Sequence, residues 1–404
     1  MSRIALIHTA SHNPSKNTMI WPPLGLCRIA SYLKDKGHEV YIVEDALDPE
    51  KTYKKLEEMI HFDLFGFSAM TLQYPRALEF AYELNNFPKH PLLVGGGAHF
   101  LNAKTFNLFD AVVSGDGEEA IEKILNGARG IVIGEPLKEY KPISFDSIQY
   151  ERYGDHLING ERAISILTSR GCPFKCSFCA SPKMGKVVYY PIKEIVKNIV
   201  DLSEKYNIKN IRIMDDSFTV DSDRVKEFCQ QIKPHKMNLA CLTHVNVVRP
   251  EDSKIMKDAG FNNVAIGIES INPEILKLIN KGINKNKILQ AIICLKEANI
   301  NIEALFMIGL PGETKETAEE TIEFAKKLKK EYDVYRTHFQ FFTPFPGSKF
   351  SEEIEQGKHG FILNNDLSFF DHRRPVFLPN GISFDDLVSV GKKAFQIENR
   401  KIYN

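Results

Sequence analysis

The sequence predicts an α/β protein. A doubly wound parallel sheet leads into an incomplete TIM-type barrel of six β/α units, and a small C-terminal appendage follows. Three observations carry this. The 404 residues exceed one ordinary hydrophobic core. Short apolar runs alternate with amphipathic stretches along nearly the whole chain, the pattern of repeated β-α-β order and hence of a parallel sheet. Composition, at 43% hydrophobic and 26% charged, is that of a folded globular protein rather than a disordered or fibrous one. The expected organisation is a first domain over 1–130, a connector over 131–160, the barrel over 161–350 and a small region over 351–404.

In the first block, Ile4–His8, Glu39–Val43, Leu64–Ser68, Leu92–Val94 and Ala111–Ser114 read as strands. Leu24–Lys36, Thr52–Ile60, Pro75–Asn85 and Glu118–Asn126 read as helices, with Pro22-Pro23 and Gly37 suited to the start and stop of the first. Sheets of this kind bind ligands at the carboxyl ends of their strands, which here carry glycine-rich and small polar loops. The connector has Pro136, Pro142 and little periodicity. In the second block the expected strands are Ile164–Thr168, Ile211–Met214, Asn238–Thr243, Asn263–Ile268, Asn301–Met307 and Thr337–Phe342. Helical patterns separate them, and a last helix is expected near Phe384–Arg400.

Lys+Arg and Asp+Glu both number 52, so no broadly basic surface is expected, and no nucleic-acid partner. No apolar stretch approaches the roughly 20 residues that span a bilayer, and the start has no cleavable leader pattern. A cytoplasmic protein with reduced thiols is expected.

Of seven cysteines, Cys27, Cys229, Cys241 and Cys294 stand singly and read as buried small hydrophobes. Cys172, Cys176 and Cys179 are different. Their C-x3-C-x2-C loop follows the first barrel strand and so falls on the face where barrel active sites lie. A tetrahedral zinc site usually takes a fourth ligand, and the closest histidine, His156, is well upstream. An iron–sulfur cluster is commonly held by thiolates, and three of them leave one iron open to an exogenous ligand.

Ser169 to Cys179, with an aromatic Phe178 before the last cysteine, resembles the cluster loop of the radical S-adenosylmethionine (SAM) superfamily. Later strand ends resemble the same family in the same order: Met214-Asp215-Asp216-Ser217-Phe218, Gly267-Ile268-Glu269-Ser270, Met307-Ile308-Gly309-Leu310-Pro311-Gly312-Glu313-Thr314 and Thr343-Pro344-Phe345-Pro346-Gly347. The resemblance implies a 4Fe–4S cluster on Cys172, Cys176 and Cys179, and SAM contacts from Phe178, Asp215, Asp216, Glu269, Ser270, Ile308, Gly309 and Phe342. It also implies a 5′-deoxyadenosyl radical and a flavodoxin or ferredoxin as electron donor. One departure is His244-Val245-Asn246, where relatives often show Arg-x-Asp; His244 is a candidate acid or base, or a simply hydrogen-bonded residue.

A flavodoxin-like front domain before this barrel resembles the cobalamin-binding subclass. Phe67-Ser68-Ala69-Met70-Thr71, Val94-Gly95-Gly96-Gly97-Ala98-His99 and Gly115-Asp116-Gly117-Glu118 resemble segments beside the corrin's nucleotide tail. Ser68, Thr71, Gly95, Gly96, Gly97, Gly115 and Glu118 are the contacts so implied. The D-x-H-x-x-G motif that supplies an axial histidine in other cobalamin proteins is absent, and His8, His12 and His99 are the histidines near the expected pocket. The resemblance implies methyl transfer to an unactivated atom of a small molecule. The alternatives are a radical cyclase, rearrangement or other group-transfer enzyme and, from another class, a non-catalytic iron–sulfur redox sensor.

Overall fold

The computed structural model describes residues 1–11, 20–100, 107–137, 139–154, 160–184 and 186–398. The chain forms two compact units, 1–155 with 366–369 and 156–365 with 370–404.

The first unit runs β1 (Arg3–His8), α1 (Leu24–Asp35), β2 (Glu39–Val43), α2 (Thr52–Glu58), β3 (Leu64–Ser68), α3 (Tyr74–Leu84), β4 (Leu92–Gly96), β5 (Ala111–Gly115), α4 (Gly117–Leu125) and β6 (Gly130–Gly134). All strands pair in parallel, in the order β2-β1-β3-β4-β5-β6. Alternation along β1 explains the layering. Ile4 and Leu6 join the core under α1 and α4, while Ala5 and Ile7 join the core that holds Phe65, Phe67 and Phe80. The neighbours of β1 are β2 and β3, so the chain reverses direction across the sheet there, which creates a switch point at the strands' carboxyl ends.

The segment read from sequence as a connector differs in two ways. Gly130–Gly134 is the sixth strand, with Ile131 and Ile133 exposed and Val132 buried, the one-sided alternation of a sheet edge. Further on, Ile143, Phe145, Tyr150 and Tyr153 are buried, with Phe145 stacked on Tyr150 at 4.3 Å. Low periodicity marked a non-regular segment, not an exposed one.

The second unit runs β7 (Ile164–Ile166), β8 (Ser169–Arg170), β9 (Val188–Tyr189), α5 (Ile192–Tyr206), β10 (Asn210–Ile213), α6 (Ser222–Ile232), β11 (Asn238–His244), α7 (Pro250–Ala259), β12 (Phe261–Glu269), α8 (Pro273–Leu278), α9 (Lys285–Glu297), β13 (Asn301–Ile308), α10 (Lys315–Tyr332) and β14 (Arg336–Phe341). Six strands pair in parallel, in the order β7-β10-β11-β12-β13-β14, the arrangement of an incomplete barrel. Helices after β10, β12 and β13 start on side-chain caps, Asp221, Asn272, Asn284 and Thr314, each worth about 1 kcal/mol. The appendage adds α11 (Lys349–Glu355), the antiparallel pair β15 (Gly360–Ile362) and β16 (Phe377–Pro379), and α12 (Phe384–Ile397), which packs on α10, β13 and β14.

Candidate active site

The cysteine loop leaves the sheet just after β7 and is gripped at its base by a short antiparallel pair, Ser169↔Tyr189 and Arg170↔Val188. Asp215, at the end of β10, fixes the same base. Its carboxylate accepts from the Thr168 N–H at 2.7 Å and from the hydroxyls of Thr168 and Ser169. The far side of the loop is stapled to the α8–α9 connection: Ser177 N–H donates to the Ile279 carbonyl at 2.8 Å, and Asn280 Nδ2 to the Lys175 carbonyl at 2.8 Å. A turn from Cys176 to Cys179 closes through Cys179 N–H on the Cys176 carbonyl at 3.1 Å.

These restraints put all three thiols on the wall of one cavity of about 350 Å³, with Phe174, Phe178, Asp215, Asp216, His244, Glu269 and Lys281 among its lining. Burial raises the Cys172 thiol and pushes Cys176 up to about 11, with the Lys281 ammonium pulling the latter back. Ser181 N–H donates to Cys179 Sγ at 3.4 Å.

The two acids at the end of β10 behave differently. Asp215 is fully buried and its oxygens are taken by the loop base; burial raises its carboxyl despite those donors. Asp216 is exposed and accepts only the Ser181 hydroxyl, at 3.0 Å, among its described contacts. Glu269 is buried at φ +68, where the register of β12 shifts against β13, and its Oε1 accepts from Lys281 Nζ at 2.8 Å. A side chain at position 267 would meet this pair, 2.5 Å from the carboxylate and 2.8 Å from the ammonium, so the ion pair keeps this geometry only beside a glycine. Burial works to lower the Lys281 ammonium, but the Glu269 carboxylate and the Cys176 thiol outweigh it and the net shift is upward. Sequence reasoning missed Lys281. Twelve residues and a helix separate it from Glu269, a spacing that no motif rule connects.

Four other residues singled out from sequence do not line the cavity. The Ser270 hydroxyl is 3.2 Å from that of Thr321 on α10. Ile308 and Phe342 are buried and joined backbone to backbone at 2.8 Å, and Phe342 packs edge-on to Phe350 and Phe377. Gly309, at φ +81, gives its N–H to the carboxylate of Glu313. Glu313 is wholly buried beneath that turn; burial pushes its carboxyl up to about 8, and Oε1 has no partner.

In the first unit the implied contacts gather at the carboxyl ends of β3, β4 and β5, most of them with internal duties. Glu118 is buried in an ion pair with Arg28 at 2.8 Å. Thr71 Oγ1 lies 3.3 Å from His99 Nδ1, and His99 stacks on Tyr74 at 4.0 Å. Gly97 (φ +98) passes so close to Ala69 that a Cβ would stand 2.8 Å from its carbonyl oxygen; at Gly115 (φ +109) it would stand 2.3 Å from that of Gly134. At Gly95 the Phe100 ring fills the space. Gly96 is the exception: a Cβ there meets only Val113, at 3.9 Å. Ser68 is half-buried at the end of β3. His8 is buried against the Tyr153 hydroxyl at 3.1 Å, and burial lowers both His8 and His99 to about 4. His12 lies outside the described residues.

Fold and site together define a partial barrel with a three-thiol loop, preceded by a doubly wound domain with an open glycine edge. Comparisons agree. A model of the radical SAM superfamily matches residues 166–325, and one of the B12 binding domain matches residues 16–125. An uncharacterized methyltransferase of Pyrococcus horikoshii is 30% identical over 366 residues, covering 82% of this chain and 78% of that protein. An anaerobic magnesium-protoporphyrin IX monomethyl ester cyclase of Rubrivivax gelatinosus is 26% identical, covering 96% and 75%. Among solved structures, the radical SAM methyltransferase TsrM of Kitasatospora setae, with cobalamin and a 4Fe–4S cluster bound, shares the fold at TM-score 0.70 and 17% identity over 96% of this chain and 91% of that one. The cobalamin-dependent radical enzyme OxsB does so at TM-score 0.75 and 14% identity, over 98% and 67%. The chain belongs to the radical SAM superfamily.

The residues present fit the groups this family implies. Among the described residues no three His, Cys, Asp or Glu side chains converge to hold a single ion. Thiolates on one zinc would meet about 2.3 Å from a common point. A cluster asks for something else, because each cysteine takes a different iron and the sulfurs stand apart around a cavity. Cys172, Cys176 and Cys179 line one cavity, and the chemistry of three cysteine thiols from one loop suits such a cluster. At the front edge, Gly96 and the exposed Gly97 and Ala98 let a broad ligand approach the backbone.

Proposed function

We propose that this chain holds a 4Fe–4S cluster through Cys172, Cys176 and Cys179, binds S-adenosylmethionine beside it, and uses cobalamin in its first unit to transfer a methyl group to an unactivated atom of a small molecule. The observation that carries the reading is one cavity bounded by three thiols of a single loop, an exposed carboxylate and a buried ion pair. When bound, the cluster supplies the electron that splits the S–C5′ bond to a 5′-deoxyadenosyl radical, and cobalamin supplies the methyl group.

This chain's residues position and shelter. Asp216 is the carboxylate open to an ammonium, by a charge-assisted hydrogen bond. Asp215 acts one step back, holding the loop base through Thr168 and Ser169. Phe174, Phe178, Leu242 and Leu305 line the cavity with apolar surface that keeps water from the radical. The Lys281 ammonium acts to lower the Cys172 and Cys176 thiols toward their ligand-competent form, while its partner Glu269 opposes it at Cys176.

No helix among the described residues is long and apolar enough to cross a membrane. All seven cysteines are free, which suits a reducing cytoplasm; a flavodoxin or ferredoxin would supply the electron. Ring closure or another rearrangement with the same groups is a second reading, supported by the cyclases among the relatives.

Anaerobic reconstitution with iron, sulfide and hydroxocobalamin tests both. Under reductant, the loaded protein should release 5′-deoxyadenosine and, with methyl-labelled SAM, pass label to products in an extract of the source cells. Loaded protein that releases no deoxyadenosine overturns the proposal; deoxyadenosine with corrin bound and no label transferred favours the second reading.

A further inference from the structure

The last residue of β1, His8, sits where the strand order of the first unit reverses, and its ring is backed by a relay of buried polar groups. Its Nδ1 lies 3.1 Å from the Tyr153 hydroxyl. The buried Glu44 carboxylate acts on that hydroxyl in turn, by charge and by hydrogen bonding, and together with burial it raises the phenol and keeps it protonated. Glu44 is itself fixed, accepting from the Gln149 backbone N–H at 2.9 Å and from its side-chain amide at 3.1 Å. A phenol has one proton, and an ionised carboxylate only accepts. With that proton turned to Glu44, the Tyr153 oxygen accepts from His8, so Nδ1 carries the ring proton and Nε2 keeps a lone pair. Burial holds the imidazole neutral, and Nε2 has no partner among the described residues.

Register places this lone pair. His8 pairs with Ser68 on β3, and Ser68 with Gly96 on β4, so the three share one row across neighbouring strands. At the usual strand spacing the His8 and Gly96 backbones stand about 10 Å apart. Residues of one row point to one face, which here is the face of Ile4, Leu6 and Val94. Gly96 is the position in that row where the backbone is open to a broad ligand. His99, the other described histidine at these strand ends, is covered by Tyr74, stacked on its ring at 4.0 Å. A neutral imidazole that gives one N–H to an oxygen backed by a carboxylate, with the opposite nitrogen free, has the arrangement of a histidine metal ligand.

We propose that His8 Nε2 is an axial nitrogen ligand of the corrin's cobalt, oriented by Tyr153 and Glu44, an assignment that rests on the reading of the first unit given above. The ligand then comes from the end of a strand, outside any D-x-H-x-x-G motif. Tyr153, 145 residues further along the chain, is a positioning residue that acts through the ring.

Electron paramagnetic resonance of the full-length protein, loaded with cobalamin and reduced to cob(II)alamin with the cluster left oxidised and silent, tests it. An axial nitrogen splits each cobalt line into a triplet. Protein grown on the heavy nitrogen isotope but loaded with unlabelled cobalamin should show a doublet instead. His8→Gln should lose the splitting and keep corrin through gel filtration, whereas His99→Gln should keep both. Tyr153→Phe should lower the split fraction without abolishing it, at unchanged corrin content, which loss of packing alone would not do. If His8→Gln fails to fold or to keep corrin, the labelled wild type, His99→Gln and Tyr153→Phe carry the decision. Corrin retained with no splitting would overturn the proposal. So would splitting that persists in His8→Gln or is lost in His99→Gln, and so would a triplet that survives labelling, which is the signature of the corrin's own base. Wild-type protein that retains no corrin would instead remove the reading of the first unit, and this assignment with it.

Discussion

The strand ends of the two units carry similar loops, yet they use their residues differently. In the barrel, side chains at the ends of β10, β11 and β12 meet around one cavity: Asp216, His244 and Glu269, joined by Lys281 and three thiols from neighbouring loops. In the first unit, most of the singled-out residues at the ends of β3, β4 and β5 support the fold itself. Glu118 ties α4 to Arg28 of α1, Thr71 meets His99, and Gly97 and Gly115 make room for passing backbone. A motif at a strand end can record a packing requirement as readily as a contact, and only the surroundings of each residue separate the two.

Substitutions that treat the two edges alike should sharpen this contrast. The largest effect is expected in the barrel: Cys176→Ala should abolish the brown cluster absorption and deoxyadenosine release while the far-UV circular dichroism stays native. Next comes Lys281→Met, which leaves Glu269 buried without its cation and should cost about 3–5 kcal/mol in denaturant unfolding. Restoration of most of that loss by the double variant Lys281→Met/Glu269→Gln is the check on the pair. At the front edge, Gly97→Ala should lower stability by about 1–2 kcal/mol for the left-handed backbone alone, with the clash on Ala69 added. Gly96→Val should leave the melting temperature nearly unchanged and weaken corrin retention after gel filtration. If the two glycine variants behave identically, the distinction drawn at that edge fails.

A pH-dependent effect is expected at Glu313. Its folded carboxyl titrates near 8, above the ordinary value of 4.5, so the native state holds the proton more tightly than the unfolded chain. The stabilisation is complete below 4.5 and is lost as pH rises through 8, at no more than about 1.4 kcal/mol per pH unit. Denaturation of wild type and Glu313→Gln at pH 6 and pH 9 should show the wild type losing more; parallel losses would mean the carboxyl is already ionised at pH 6.

Much of the fold was legible because its signals are local. Alternating apolar runs and caps such as Asp221 and Thr314 mark the parallel strands and the helices between them without knowledge of any neighbour. The edge strand Gly130–Gly134 was read as connector because one buried residue between two exposed ones gives too little period to recognise. At the site, cysteine spacing carried the loop, whereas Lys281 was invisible because its partner is remote in sequence. Asp215 and Asp216 read as equivalent neighbours; that one is consumed by Thr168 and Ser169 and the other is open depends on which way each side chain leaves β10.

What the chain order alone determined is the succession of elements and the crowding of three thiols into one loop, since both follow from short-range spacing. What the tertiary structure decided is which polar groups meet one another and which are left for a ligand: Glu269 with Lys281, Glu118 with Arg28, and, among the described residues, His8 and His244 each with one nitrogen engaged and one free. The physical reason is that a buried polar atom must find its partner wherever the fold brings one, and that meeting is set by long-range packing rather than by sequence distance.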